Sequence, residues 1–146
     1  MLTPGDTAPD WKGVNQDGKP VCGADYAGSW LLLYFYPKDD TPGCTLQACG
    51  LRDDYAALSS RISIVGVSAD SMESHRAFRD KFTLPFTLVA DPTREVINAF
   101  GADGILFPSR VTFLIDPENI IQKIYHGFDA KEHSTIIGKD LAALGV

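Results

Sequence analysis

Trp30-Leu-Leu-Leu-Tyr-Phe-Tyr-Pro-Lys-Asp-Asp-Thr-Pro-Gly-Cys-Thr-Leu-Gln-Ala-Cys49 carries two patterns back to back. Its first seven residues are apolar or aromatic without alternation, the mark of a strand covered on both faces. The run is far short of the roughly 18 apolar residues a membrane span needs. Pro37 to Gly43 then hold two prolines, two aspartates and a glycine, which reads as a turn. From Cys44 the periodicity becomes helical: Leu46, Leu51, Tyr55 and Leu58 predict a helix over 44–58, with Arg52, Asp53 and Asp54 facing out. A buried strand running through a tight turn into a helix predicts an α/β sheet. It also sets a cysteine at a helix N-terminus, where the helix dipole favours a thiolate.

The same reading extends in both directions. Upstream, turn formers cluster at Thr3-Pro-Gly5, Ala8-Pro-Asp10 and Gln16-Asp-Gly18, and Asp17-Gly18 predicts a small N-terminal β-hairpin anchored by Trp11. Downstream, residues 62–67 predict a strand. Asp70-Ser-Met-Glu73 predicts a capping box, with Asp70 as N-cap of a helix to about Phe82. Residues 86–89 predict a short strand, and Asp91-Pro92 the start of a helix to about Phe100. A loop follows from Gly101 to Pro108. Residues 110–115 predict a strand, 116–119 a turn and 120–125 its hairpin partner. Asp129-Ala-Lys-Glu132 predicts the cap of a last helix to about Leu144. Strands alternating with helices, closed by a hairpin, predict an α/β fold with an antiparallel edge. We expect one domain over 1–146.

Composition narrows the function. The 146 residues are 45% hydrophobic and 22% charged, with net charge −6. An acidic chain without a Lys/Arg cluster argues against nucleic acid or an anionic membrane as partner. The start, Met1-Leu-Thr-Pro-Gly-Asp6, has neither the basic nor the long apolar region of a signal peptide, so the expected location is cytoplasmic. The three cysteines, Cys22, Cys44 and Cys49, are too few and odd in number for a disulfide framework. Zinc is not expected, because there is no second Cys pair and His75, His126 and His133 lack ligand spacing. Nothing around Cys22 activates a thiol, so it reads as structural. The three histidines read as solvated or structural.

A free thiol is only about 3% ionised at pH 7. Full ionisation therefore gains at most roughly 30-fold, about 2 kcal/mol of barrier. Cys44 lies in the first helical turn and Cys49 more than a turn further in, so Cys44 is the expected nucleophile and Cys49 its assistant. Fast chemistry also needs donors aimed at the reacting atoms. The local candidates are the Thr41 hydroxyl and the backbone N–H groups of Gly43 and Cys44. A fixed positive charge is still needed, and Arg110, at the entrance to an apolar strand, is the expected source. Gln47, one turn after Cys44, either supports the site or faces solvent. Residues i and i+5 on an ideal helix have Cα atoms roughly 8–9 Å apart, whereas a disulfide needs at most about 7 Å. A Cys44–Cys49 bond would therefore require the helix to open.

The segment from Tyr34 to Cys49 closely resembles the active-site segment of peroxiredoxins, most of all the bacterioferritin-comigratory (Q-type) group. Pro37, Thr41 and Cys44 match the pattern Pro-x-x-x-Thr-x-x-Cys, and Cys49 matches the second cysteine of the Q type. Ala8-Pro-Asp-Trp11, Gly66-Val-Ser-Ala-Asp70 and Arg110-Val-Thr-Phe-Leu-Ile-Asp116 are similar to further family segments, so the resemblance spans nearly the whole chain.

The resemblance implies a thioredoxin fold, a central mixed β-sheet flanked by helices, with an N-terminal β-hairpin extension. It implies reduction of hydrogen peroxide and organic hydroperoxides without metal or prosthetic group. Cys44 would become a sulfenic acid, and Cys49 would condense with it to an intramolecular Cys44–Cys49 disulfide. Thioredoxin or a glutaredoxin-like donor would reduce that bond. Pro37 would shield the sulfenic acid, while Thr41, Gly43, Cys44 and Arg110 would hold the peroxide. The expected state is a monomer or weak dimer.

Other cysteine chemistries fit less well. A phosphatase loop wants Cys-x5-Arg, but that position is Gly50; Cys-x-x-Cys and the Walker phosphate loop are absent. A redox sensor using the same thiols is the remaining alternative.

Overall fold

The computed structural model describes residues 1–104, 106–126 and 133–146. Seven strands form one mixed sheet: β1 (Lys12–Asn15), β2 (Pro20–Cys22), β3 (Leu31–Phe35), β4 (Ser63–Ser68), β5 (Thr87–Ala90), β6 (Val111–Ile115) and β7 (Ile121–His126), in the order β2-β1-β5-β4-β3-β6-β7. β3, β4 and β5 run parallel; β6 pairs antiparallel with β3, and β7 with β6. The Asp17-Gly18 hairpin forms as expected, and β1 pairs antiparallel with β5. The helices are α1 (Pro42–Asp53), α2 (Tyr55–Ser59), α3 (Met72–Phe82), α4 (Glu95–Ala99) and α5 (His133–Ala143). None is long and apolar enough to cross a membrane.

All five residues of β3 are buried, as its unbroken apolar run predicts. Its alternation divides the core. Leu31, Leu33 and Phe35 pack with Trp11, Val96, Ile97 and Phe100; Leu32 and Tyr34 pack with Cys44, Ala48, Leu51, Phe78 and Ile137. The face carrying Cys44 is therefore the one covered by α1, α3 and α5.

Helix boundaries differ from expectation where side chains compete for the backbone. α1 starts at Pro42, two residues early, because proline at the first helical position already has the helical φ. It stops at Asp54 rather than running through to Leu58. Leu46 is 52% exposed, since the buried stripe runs through Cys44, Ala48 and Leu51. Ser71, not Asp70, caps α3: its Oγ accepts from the Ser74 N–H, while the Asp70 carboxylate is taken by the Asp39 N–H and the Ser68 hydroxyl. α4 begins at Glu95 rather than at Pro92, after Arg94 in a left-handed conformation; Asp91 instead accepts from the Ile97 N–H. The expected cap at Asp129–Glu132 lies outside the described residues.

Candidate active site

Chain direction brings the site together. β3 delivers Tyr36, the chain turns through Pro37–Thr41, and α1 carries Cys44 in its first turn. Pro37 is half-buried at the head of this turn. Thr41 is the N-cap residue, and the first ladder bond runs from Thr45 N–H to Thr41 C=O at 2.8 Å. Helix geometry thus leaves the Gly43 and Cys44 N–H groups without intrahelical acceptors. The Thr41 hydroxyl donates to the Lys38 carbonyl at 2.8 Å, so it offers the site acceptor lone pairs rather than the proton expected of it. Cys44 is 2% exposed, and Cys49 is half-buried on the same helix; both thiols are free. Cys22 ends the edge strand β2, with three strands between it and β3, and has no place in the site.

Arg110 arrives from the other side of the sheet register. Val111 pairs with Phe35, so the residue before Val111 sits where β3 feeds the Cys44 turn. One guanidinium nitrogen, Nη2, donates to Cys44 Sγ at 3.4 Å. The other, Nη1, donates to Gln47 Oε1 at 2.6 Å. Gln47 is 1% exposed and belongs to the site, not to the solvent face. Its Nε2 lies 3.2 Å from His133 Nδ1, and His133 Nε2 lies 3.0 Å from Thr112 Oγ1.

Arg110 fixes the polarity of this chain of bonds. A guanidinium only donates, so the Gln47 carbonyl must face it and the Gln47 amide N–H must face His133. His133 Nδ1 is then the acceptor, and its proton sits on Nε2, donating to Thr112. Burial first, and the Arg110 charge second, push the His133 pKa down to about 3, so the ring is neutral at pH 7.

A second cluster pins the turn from the other flank. Both Asp39 carboxylate oxygens are engaged: the Tyr36 hydroxyl donates to Oδ1 at 2.5 Å, and the Ser74 hydroxyl to Oδ2 at 2.8 Å. His75 Nδ1 lies 2.6 Å from Oδ2, and its Nε2 donates to the Val89 carbonyl at 2.9 Å. Asp39, Asp70 and His75 are close enough to share a metal ion. The Asp39 and His75 ligand atoms and Asp70 Oδ2 already serve hydrogen bonds, so the group reads as a structural clamp.

Four contributors had escaped sequence reasoning: Asp39, His75, Thr112 and His133. Neither histidine has a local spacing partner, because both meet their partners across the fold. One signal existed: Thr112 is the only polar residue in Val111-Thr-Phe-Leu-Ile115, a strand buried throughout.

The AhpC/TSA family model matches residues 4–124. The chain belongs to the AhpC/TSA family. Within the AhpC/TSA family it is similar to "Peroxiredoxin Q, chloroplastic" from Sedum lineare, at 39% identity over 90% of this chain and 74% of the relative. The Arabidopsis thaliana protein of that name is 41% identical over 88% of this chain and 62% of its own length, so this chain spans roughly two thirds of its curated relatives. Among solved structures of the family, a cysteine-to-serine mutant of Xylella fastidiosa PrxQ superposes with a TM-score of 0.95 at 27% identity, covering 100% of this chain and 99% of that one. The Xanthomonas campestris bacterioferritin comigratory protein superposes with a TM-score of 0.88 at 28% identity, covering 93% and 92%. The expected fold class therefore holds: a thioredoxin-like α/β sheet with an N-terminal hairpin joined to its edge. AhpC/TSA membership with relatives of the Q type makes the chain an oxidoreductase of the peroxiredoxin class, the peroxidases that the resemblance pointed to.

Proposed function

We propose that the chain reduces hydrogen peroxide and organic hydroperoxides with Cys44 as the attacking thiolate. The observation that carries this is the Arg110 Nη2 to Cys44 Sγ contact, held by the Gln47 bond on the same guanidinium. A cation fixed against the sulfur stands ready for the negative charge that grows as the peroxide bond breaks. Alkyl peroxide reduction is the activity named for the Xanthomonas protein, and organic hydroperoxides are carried over from it as substrates here.

The reaction balances without any cofactor. The Cys44 thiolate attacks one peroxide oxygen, the O–O bond breaks, and the leaving alkoxide or hydroxide takes a proton to become alcohol or water. Cys44 is left as a sulfenic acid. The Gly43 and Cys44 N–H groups and Arg110 hold the oxygens, Thr41 accepts from the peroxide O–H, and Pro37 covers the sulfenic acid. Cys49 sulfur then attacks Cys44 Sγ, the S–O bond breaks, water leaves and a Cys44–Cys49 disulfide forms. A thioredoxin or glutaredoxin-like dithiol returns both thiols. Since α1 keeps the two cysteines more than a turn apart, its first turns must open for this step.

We take a monomer or weak dimer as the working unit. One sheet running from residue 12 to residue 126 supports treating 1–146 as a single unit. Three free thiols suit a reducing compartment, the cytoplasm, and the acidic charge disfavours nucleic acid and membrane partners. The test is turnover: consumption of NADPH with thioredoxin, its reductase and hydrogen peroxide. Consumption at the rate of a protein-free control overturns the peroxidase reading. Cys44→Ser should abolish turnover. Cys49→Ser should consume one equivalent of peroxide and then stop, and Cys22→Ser should behave as the parent.

A further inference from the structure

We propose that His133 is a positioning residue for the Cys44 site: its Nδ1 accepts the Gln47 amide proton and so holds the Gln47 carbonyl against Arg110. The inference rests on the peroxidase reading only for what Arg110 does to a peroxide. Its contacts stand by themselves.

An amide side chain is ambiguous in direction. Gln47 carries an acceptor and a donor of nearly the same shape, and α1 alone does not choose between them. With the donor turned towards Arg110, two sets of N–H groups would face each other at 2.6 Å, and the guanidinium would have to move off the sulfur. His133 removes the choice by presenting a lone pair at 3.2 Å on the far side. It can do so only as the Nε2–H tautomer, and Thr112 Oγ1, 3.0 Å from Nε2, is placed to accept that proton. Protonation at Nδ1 would turn the acceptor into a donor and reverse the amide; burial and the nearby Arg110 charge hold that state off at neutral pH. Thr112 and Arg110 lie two residues apart on one strand segment, so a single stretch of backbone places both ends of the chain of bonds.

α5 also grips α1 at a second point. The Ser134 hydroxyl donates to Asp54 Oδ2 at 2.6 Å, at the residue that ends α1. Gln47 and Asp54 flank Cys49 along the helix. The His133 contact is therefore the one on the Cys44 side, where α1 must release its first turns, and the Ser134 contact lies beyond Cys49.

The test separates positioning from simple core filling by asking which nitrogen matters. His133→Asn places an acceptor near the Nδ1 position, His133→Gln near the Nε2 position, and His133→Leu supplies none. The readout is the rate of Cys44 alkylation by iodoacetamide at pH 7, resolved from Cys49 by tandem mass spectrometry, with kcat/KM for hydrogen peroxide measured alongside. We expect His133→Leu and His133→Gln to slow Cys44 alkylation about tenfold, and His133→Asn to recover most of that loss. Equal rates in the Leu and Asn variants, or an unchanged rate in the Leu variant, overturn the proposal. Nitrogen-15 NMR of the parent protein decides the same point without a substitution: Nδ1 should be unprotonated and Nε2 protonated at pH 7. A proton on Nδ1 overturns it. Neither alkylation nor NMR uses peroxide, so failure of the peroxidase reading would leave both answers intact.

Discussion

The Arg110 guanidinium lies across Gly43. Its Nη2 stands 3.0 Å from where a Cβ on residue 43 would be, and 3.4 Å from the sulfur of the next residue, Cys44. Two segments 66 positions apart in sequence meet here with no side chain between them. The glycine that precedes Cys44 is part of the charge site, because its missing side chain is the space the cation occupies.

Gly43→Ala should therefore lower activity without lowering stability. The clash falls on the far end of a flexible side chain, so the guanidinium gives way while the helix gains up to about 1 kcal/mol in propensity. A displacement of a few tenths of an ångström should cost up to about tenfold in kcat/KM for hydrogen peroxide, with Tm unchanged or raised. Arg110→Lys should lose a comparable factor, since one ammonium cannot reach both Gln47 Oε1 and Cys44 Sγ as the fork does. Full activity in either variant would remove the arginine from the mechanism.

Cys44 and Cys49 share the unbroken helix α1, so the proposed disulfide between them requires the helix to open. Amide hydrogen exchange over residues 41–52 should be faster in the disulfide form than in the dithiol form, while α3 exchanges alike in both. Equal protection in the two redox states would show that the bond forms some other way.

His133 should make the fold sensitive to mild acid. Its pKa is about 3 in the folded protein and about 6.5 when unfolded. Above pH 6.5 both states hold a neutral ring and its contribution is complete. Between pH 6.5 and 3 only the unfolded state takes up the proton, so stability falls as pH falls, by about 2 kcal/mol at pH 5. Urea unfolding of the parent and of His133→Asn should converge by about that amount between pH 7 and pH 5. A pH-independent gap would mean the ring is not held neutral.

The Asp39 clamp should matter to the turn as well as to the core. Asp39→Ala strands the Tyr36 and Ser74 hydroxyls and the His75 ring, a loss of about 3 kcal/mol by the usual cost of breaking a buried hydrogen-bonded pair. It also frees the neighbouring Asp40, held at φ 54°, a conformation a non-glycine residue leaves when it can. Chemical denaturation of this variant should show the loss, and loop exchange at residues 37–41 should rise with it.

Tyr34 offers the opposite sign. Its hydroxyl is buried without a hydrogen-bond partner among the described residues, set against Gly66 and Leu88. Burial pushes its pKa well above 10, so it stays neutral. Tyr34→Phe removes an unsatisfied group and should leave stability unchanged or raise it by up to about 1 kcal/mol. A clear drop in Tm would reveal a partner such as a buried water.

Much of this protein was legible in its residues because the signals were local. An unbroken apolar run from Trp30 to Tyr36 is enough to bury a strand on both faces, and Pro42-Gly43-Cys44 is enough to start a helix and set a thiol in its first turn. Asp17-Gly18 is enough to turn a hairpin. Helix ends were less legible, because Asp70 and Asp91 had distant or competing backbone partners and so left the capping roles their spacing suggested. Tertiary structure alone decided what surrounds the sulfur. Register between β3 and β6 carried Arg110 to Cys44, and packing of α5 on α1 turned His133 from a nondescript histidine into the acceptor that orients Gln47. The physical reason is range: backbone propensity acts over a few residues, while the direction of a hydrogen bond in a buried site is set by whichever distant groups the folded sheet brings within about 3 Å.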